Sequence, residues 1–362
     1  MNEFDLENYL FAKGKQKGVP VRAVLELTPV CNFRCGFCYI RHSHKECMEL
    51  GGEKPVEFWK MLIPQMKEMG ILIVTLIGGE PFLYQGFGEL YSELLDNGFL
   101  VNITSNGSMI TDELIELLKE KPPRYVTVSL YGASDETYHR VTGNPKGFSM
   151  TIAGIERLLE AGIAVKLNYV TVPGNQEDFD AIYELSNRYH LPLLADAYCF
   201  TARRRSSEEG FQRLSPEQAA RYHMEAKKRD PKVDYPGMCR RIASGEVVRV
   251  EEMHYSRISC YAGSALFWIS WKGDMMPCGF LEQLRVPLEE NQLSPAWEKL
   301  KERVAAVRTA DRCSSCKHRE ICYVCPASMV SETGSFHEAP EYLCQMTEEI
   351  VRIAERENDG NP

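Results

Sequence analysis

The sequence predicts an α/β fold: an open, partial (β/α)6 barrel of the TIM type, followed by a smaller cysteine-rich domain containing a β-hairpin and helices. Three observations predict it. Between Val21 and Tyr198 six short β-type runs alternate with helical patterns, the order of a parallel sheet with right-handed crossovers; six units are too few to close the usual eight-stranded barrel. The stretch 71–77 is nearly all apolar, as in a strand covered on both faces. Beyond about Ser206 the alternation stops and cysteines accumulate.

In chain order, 21–27 reads as the first strand. Residues 55–69 follow with Phe58, Trp59, Leu62, Ile63 and Met66 at a helical period. After the strand 71–77 come helix 87–97, strand 100–104, helix 111–120 and strand 125–130. Helix 148–161, strand 163–170, helix 177–189 and strand 191–198 complete the six units. Residues 216–229 read as a helix and the stretch through Pro236 and Cys239 as irregular. Runs 266–271 and 275–280 form a hairpin with Gly273 in its turn and Cys278 on its second strand. Helices over 297–307 and 341–355 lead to a tail expected to fray. The expected division is an N-terminal extension 1–20, a barrel 21–205, a bridging helical region 206–255, a cysteine-rich domain 256–350 and a tail 351–362.

Ten of the thirteen cysteines fall into two spacing patterns. Cys31, Cys35 and Cys38 form a CxxxCxxC just after the first strand, so three thiolates on one loop can hold three corners of a 4Fe-4S cube and leave the fourth iron open. Cys260, Cys278, Cys313, Cys316, Cys322, Cys325 and Cys344 form the second set. Burial of isolated thiols as small hydrophobes does not explain such grouping. Disulfides belong to oxidising compartments, whereas the chain opens MNEFDLENYL without a basic or apolar signal segment. A zinc ribbon would space its two pairs further apart than Cys316 and Cys322. A cytoplasmic iron-sulfur protein is the expectation.

Composition points the same way. Hydrophobic residues at 44% and charged residues at 26% are ordinary for a globular enzyme. A formal net charge of -9 argues against non-specific nucleic-acid binding, and no apolar run is long enough for a membrane span. The densest basic run, Arg203 to Arg205, reads as a solvated loop. Catalytic groups of a barrel gather at the carboxyl ends of its strands. Gly78, Gly79 and Glu80 follow the second strand, Ser129 ends the fourth, and Asn168 and Asp196 lie late on the fifth and sixth.

On these residues the chain resembles the radical S-adenosylmethionine (SAM) superfamily, in its branch with a C-terminal SPASM domain, over roughly residues 20–350. The resemblance implies that Cys31, Cys35 and Cys38 hold the 4Fe-4S cluster that binds S-adenosylmethionine, with Phe37 in the family's aromatic place. Gly78-Gly79-Glu80 matches the GGE motif, in which glycines let backbone approach the ligand and the carboxylate accepts from the methionine ammonium. Ser129 matches a serine near the cofactor's polar groups, but Tyr131 stands where the family usually has aspartate. Arg140 would supply a cation for the cofactor carboxylate and Asn168 a bond to its ribose.

The late cysteines resemble the SPASM ligands of two auxiliary 4Fe-4S clusters, three clusters in all. By the family's pattern Cys313, Cys316, Cys322 and Cys344 share one, and Cys260, Cys278 and Cys325 the other, whose fourth position is Cys239 or open. The spacing departs from the pattern at Cys322-Tyr-Val-Cys325, two intervening residues instead of three.

The resemblance implies a 5'-deoxyadenosyl radical that takes hydrogen from an unactivated carbon, auxiliary clusters that accept an electron, and a peptide or protein substrate. The reading is a maturase of a ribosomally synthesised peptide, forming a thioether or carbon-carbon crosslink or epimerising a residue, with Asp196 as a candidate base. Its partners would be the peptide, a separate leader-binding protein, and a reductant such as flavodoxin or ferredoxin. Alternatives are a formylglycine maturase of the anaerobic sulfatase type, a small-molecule enzyme of the same superfamily, and an electron-transfer or metal-binding protein without catalysis.

Overall fold

Runs such as Ile73–Ile77 are β-branched and apolar on both faces, which suits the interior of a parallel sheet with helices outside. The computed structural model describes residues 3–201, 204, 211–246, 257–288 and 292–360. Its strands are β1 (Arg22–Glu26), β2 (Ile73–Ile77), β3 (Leu100–Ser105), β4 (Tyr125–Leu130), β5 (Val165–Val170), β6 (Leu193–Asp196), β7 (Leu266–Ile269), β8 (Asp274–Met276) and β9 (Val286–Pro287). They form one sheet in the order β6-β5-β4-β3-β2-β1-β7-β8-β9. From β1 to β6 every pairing is parallel, with helices in the connections, as a partial barrel requires.

β7 pairs in parallel with β1, Arg22 opposite Leu266 and Leu25 opposite Ile269. The hairpin of the cysteine-rich region therefore continues the barrel's own sheet. β8 ends at Met276 because Pro277, next in the chain, has no N–H to give the ladder. Cys278 thus lies past the second strand, not on it as the sequence suggested.

The N-terminal extension is a helix, Glu3–Lys17. Phe11 packs with Val21, Ile73 and Ala265, residues at or next to the first residues of β1, β2 and β7, and Glu7 pairs with Arg22 and Arg124. The helix covers the amino end of the barrel and leaves the carboxyl end for chemistry.

Helix Pro216–Arg229 has the bounds expected. The stretch read as irregular is a second helix, Tyr235–Ser244: Asp234 caps it by accepting from Gly237 N at 3.0 Å, and Pro236 sits in the first turn, where a missing N–H costs nothing. The closing helix runs on to Asn358, burying Ile350 and Ala354, so most of the supposed tail is helical. These three helices enclose a second core with Cys239, Met224, Met329 and Met346. No helix among the described residues is long and apolar enough to cross a membrane.

Candidate active site

The carboxyl ends of β1 to β6 surround a cavity of about 430 Å³ bordered by Cys31, Cys35, Phe37, Cys38, Gly78 and Gly79, and across from them by Ser129, Asn168 and Asp196. Its volume is that of a small-molecule site.

The cysteine loop is braced from below. Gly79 N donates to Thr28 O at 2.7 Å and Glu80 N to Val30 O at 2.9 Å. A Cβ on Gly78 would stand 2.6 Å from Thr28 O, and one on Gly79 2.4 Å from Val30 O. These glycines let the loop's own backbone approach, a need distinct from the ligand approach read from the motif. Cys31 Sγ accepts from Phe33 N at 3.4 Å and from Asn106 Nδ2 at 3.7 Å.

Glu80 is fully buried and does not border the cavity. Its carboxylate accepts from Ser105 Oγ at 2.8 Å, Asn106 N at 2.8 Å and Phe82 N at 3.2 Å. Burial nonetheless pushes its pKa up to about 7. The structure gives Glu80 the task of tying the end of β3 to the turn after β2.

Ser129 and Asn168 stand opposite each other across β4 and β5, which brings their polar groups to one wall of the cavity. Tyr131, at the family's aspartate position, lays its ring on the wall, meeting Phe37 edge-on at 5.4 Å and Phe33 at 6.4 Å, with its hydroxyl bonded to the Ser129 side chain. Asp196 borders the cavity while its Oδ1 accepts from Ala197 N at 2.7 Å and Tyr198 N at 3.1 Å, so one oxygen caps the strand end.

Arg140 is set apart. It donates from Nε to Gly174 O at 2.8 Å and borders a different pocket, behind the cysteine loop. A cation that the spacing did not single out stands in the cavity instead: Arg41, three residues past Cys38, whose buried Nε has no hydrogen-bond partner among the described residues. Its only sequence signal is that proximity to the motif. Cys199, next to the end of β6, also borders the cavity as a buried thiol held up at about 12 by burial and then by Asp196.

Arg204 contradicts the solvated-loop reading; Arg203, Arg205 and the residues 206–210 lie outside the described residues. Its guanidinium grips Glu26 at the end of β1 at 2.7 and 2.9 Å and donates to Gly279 O at 3.0 Å. Trp268 Nε1 donates to the same carboxylate at 3.1 Å. A buried cation must be paired, and Glu26, without any exposure, is its partner.

The late cysteines separate into two groups. Cys313, Cys316, Cys322 and Cys344 border one cavity of about 80 Å³ together with Arg312, His318 and Arg319. Beyond burial, the nearness of Cys325 raises the Cys260 thiol, and the nearness of Cys325 and Cys260 raises that of Cys278. Cys325 caps the helix Pro326–Thr333, its Sγ accepting from Ser328 N at 3.4 Å. Cys239 is elsewhere: it sits on Tyr235–Ser244 in the second core, beside Tyr235, and does not join the trio.

Burial, then the charge of Glu80, pushes the Cys31 thiol up to about 12; burial does the same for Cys278, up to about 12, and Cys344, up to about 11. At neutral pH these thiols keep their protons until a cationic group displaces them, so metal loading releases protons. Among the described residues no three His, Cys, Asp or Glu side chains converge closely enough for one metal ion. The thiols border cavities instead, which suits a multi-iron cluster.

One side of the central cavity is a wall of rings. Tyr39 lies 4.6 Å from Phe280, Phe280 stacks on Phe200 at 3.9 Å and 15°, and Phe200 meets Tyr198 at 5.0 Å. Phe280 packs in the same cluster as Cys278 and Cys325.

Residues 25–186 match the family model described as Radical SAM superfamily. The AdoMet-dependent heme synthase of Methanosarcina barkeri is 27% identical over 341 residues, covering 88% of this chain and 94% of that protein. The sporulation killing factor maturation protein SkfB of Bacillus subtilis is 32% identical over 169 residues, 46% of this chain and 39% of its own length. Among solved structures, Streptococcus suis SuiB bound to its precursor peptide SuiA superposes with a TM-score of 0.67 at 20% identity, over 95% of this chain and 82% of that one.

Proposed function

We propose that the chain is an enzyme of the Radical SAM superfamily, whose family model matches residues 25–186, and that it oxidises a side chain of a ribosomally synthesised peptide held in the central cavity. Cys31, Cys35 and Cys38 would hold the 4Fe-4S cluster, and S-adenosylmethionine would lie above them. When bound, cluster and cofactor supply the radical that removes hydrogen from an unactivated carbon.

The chain's own groups do the rest. Ser129 and Asn168 offer a hydroxyl and an amide from adjacent strands to the cofactor's polar atoms. The free Nε of Arg41 answers a carboxylate, the role the sequence suggested for Arg140. Asp196 has an oxygen outside its strand-end cap to receive a proton from substrate. Phe37 and Tyr131 keep water from the reacting carbon, which a radical site requires.

The observation that carries the oxidative reading is that Phe200 and Phe280, rings of the cavity wall, pack in the same cluster as Cys278 and Cys325. The trio and the four-thiol pocket would hold the two auxiliary clusters, which an enzyme that returns its electron to the cofactor has no need of. A peptide substrate is favoured by the likeness to SkfB, a maturation protein. A second reading, a tetrapyrrole substrate, is favoured by the near full-length likeness to the heme synthase and by Arg41 in the cavity, whose Nε has no hydrogen-bond partner among the described residues.

The test is 5'-deoxyadenosine formation by anaerobically reconstituted protein with dithionite and S-adenosylmethionine. Small peptides encoded beside this chain should raise it and lose hydrogen by mass spectrometry. If iron coproporphyrin III raises it while the peptides do nothing, the peptide reading falls. No 5'-deoxyadenosine under any condition would return the chain to an electron carrier.

A further inference from the structure

One segment of chain serves two sites. Tyr198, Cys199 and Phe200, just past β6, border the central cavity, and the bonds that hold this segment in place lead to the trio. The Tyr198 hydroxyl donates to Glu332 Oε1 at 2.9 Å. Thr201 donates from N to Ser331 Oγ at 3.0 Å and from Oγ1 to Ser331 O at 2.6 Å. Ser331 and Glu332 lie in the last turn of the helix Pro326–Thr333, which Cys325 caps. Further along, Arg204 donates to Gly279 O at 3.0 Å, next in the chain to Cys278. The cavity wall is therefore anchored beside one trio thiol and to the far end of the helix that begins at another.

The acid at that helix end is not there for the helix. The Glu332 side chain is 6% exposed, and a carboxylate in the last turn of a helix opposes the helix dipole. Arg213 offsets the charge, donating to Oε2 at 2.8 Å while its guanidinium lies over the Tyr342 ring at 3.8 Å. What needs the carboxylate is Tyr198, whose buried hydroxyl requires an acceptor. The helix between is a short strut: its eight residues span about 12 Å, and those from Pro326 to Ser331 are buried.

We infer that Glu332 and Thr201 are positioning residues that couple the two sites, so that metal on the trio and S-adenosylmethionine in the cavity each strengthen the other's binding. The inference rests on the reading that the cavity takes this cofactor and the trio a cluster. Cys260, Cys278 and Cys325 come from three separate stretches of chain, so they converge only in the fold, and metal that binds them favours the folded arrangement. That arrangement fixes the start of the strut and the turn after Cys278, and through them the wall at Tyr198 and Phe200. Coupling between two binding equilibria acts equally in both directions.

Equilibrium dialysis of S-adenosylmethionine against anaerobically reconstituted holoenzyme tests it. Cys325→Ser should lose the trio's iron and weaken binding about tenfold, while Cys344→Ser, which strips the other pocket, should leave the affinity native. Glu332→Ala should keep all the iron and weaken binding to a similar degree; combined with Cys325→Ser it should add little, as two changes on one path do. Thr201→Val, which keeps the side chain's shape and borders neither the cavity nor the thiols, should show the same non-additivity. In the other direction, saturating S-adenosylmethionine should slow the loss of trio iron to a chelator in the native protein and not in Glu332→Ala. Native affinity in Cys325→Ser, equal weakening in Cys344→Ser, or effects of the anchor variants and Cys325→Ser that multiply would overturn the coupling. A native holoenzyme that binds no S-adenosylmethionine would instead overturn the cofactor reading.

Discussion

The loop of Cys31, Cys35 and Cys38 and the pocket of Cys313, Cys316, Cys322 and Cys344 gather thiols by opposite means. In the first, one short loop supplies every sulfur, and the scaffold only has to hold that loop's backbone, through Gly79, Glu80 and Asn106. In the second, two thiols stand at or just past the short helix Asp311–Ser314, one in the turns beyond it, and one on the long helix Glu341–Asn358. Tethered ligands tolerate loss of the metal because the chain keeps them together. Dispersed ligands depend on helix packing, and their packing depends on them.

The sharpest way to break this comparison is to remove one sulfur from each set. Cys35→Ala should abolish 5'-deoxyadenosine formation and remove one cluster's iron while leaving the thermal midpoint of the loaded protein nearly unchanged. Cys344→Ala should spare 5'-deoxyadenosine formation, stop product formation, and lower the midpoint of the loaded protein, since bound metal is folding free energy where the site is assembled by the fold. Equal midpoint losses in the two loaded variants would erase the distinction.

Gly79→Ala is a finer cut. Its Cβ would meet Val30 O at 2.4 Å, a backbone atom that cannot swing away, so the cysteine loop must move at a cost of about 1–3 kcal/mol. The first cluster should load poorly, read as a loss of its EPR signal on reduction, while the iron of the late pocket stays. Normal loading of both would mean that the loop can shift without consequence.

The same contrast explains how much was legible beforehand. Alternation of strand and helix gave the six-stranded barrel within a few residues at each end, because buried parallel strands such as Ile73–Ile77 and amphipathic helices such as Val56–Glu68 carry strong periodic signals. The helix Tyr235–Ser244 was missed because Pro236 reads as a breaker unless the cap at Asp234 is recognised. The continuation of the sheet through β7 has no local signal, since a parallel pairing between Arg22 and Leu266 is a long-range event. Motif spacing marked the cavity thiols, but it could not say that Glu80 turns away from the cavity, that Arg140 stands behind the loop, or that Arg41 takes the place facing inward. Those depend on side-chain direction, which only packing decides.

A smaller effect separates the two regions by pH. His223, on Pro216–Arg229, is 7% exposed, and its Nε2 lies 3.1 Å from the hydroxyl of Tyr323, between Cys322 and Cys325. Burial, then Lys227, holds its imidazole down to about 4, against an ordinary 6.5. Between those values the unfolded chain takes up a proton that the folded one refuses, so stability falls as the pH drops from 6.5 to 4 and levels off below. At pH 5.5 the loss is about 1 kcal/mol. His223→Gln can keep the bond to Tyr323 without titrating, and its midpoint should decline less than the native one between pH 7 and 5. Iron in the late pocket should then outlast the native protein's at pH 5.5, while the barrel's cluster is released at the same rate in both. Parallel acid losses in native and variant would mean that His223 is protonated where it sits, and that the late region owes no acid sensitivity to this buried ring.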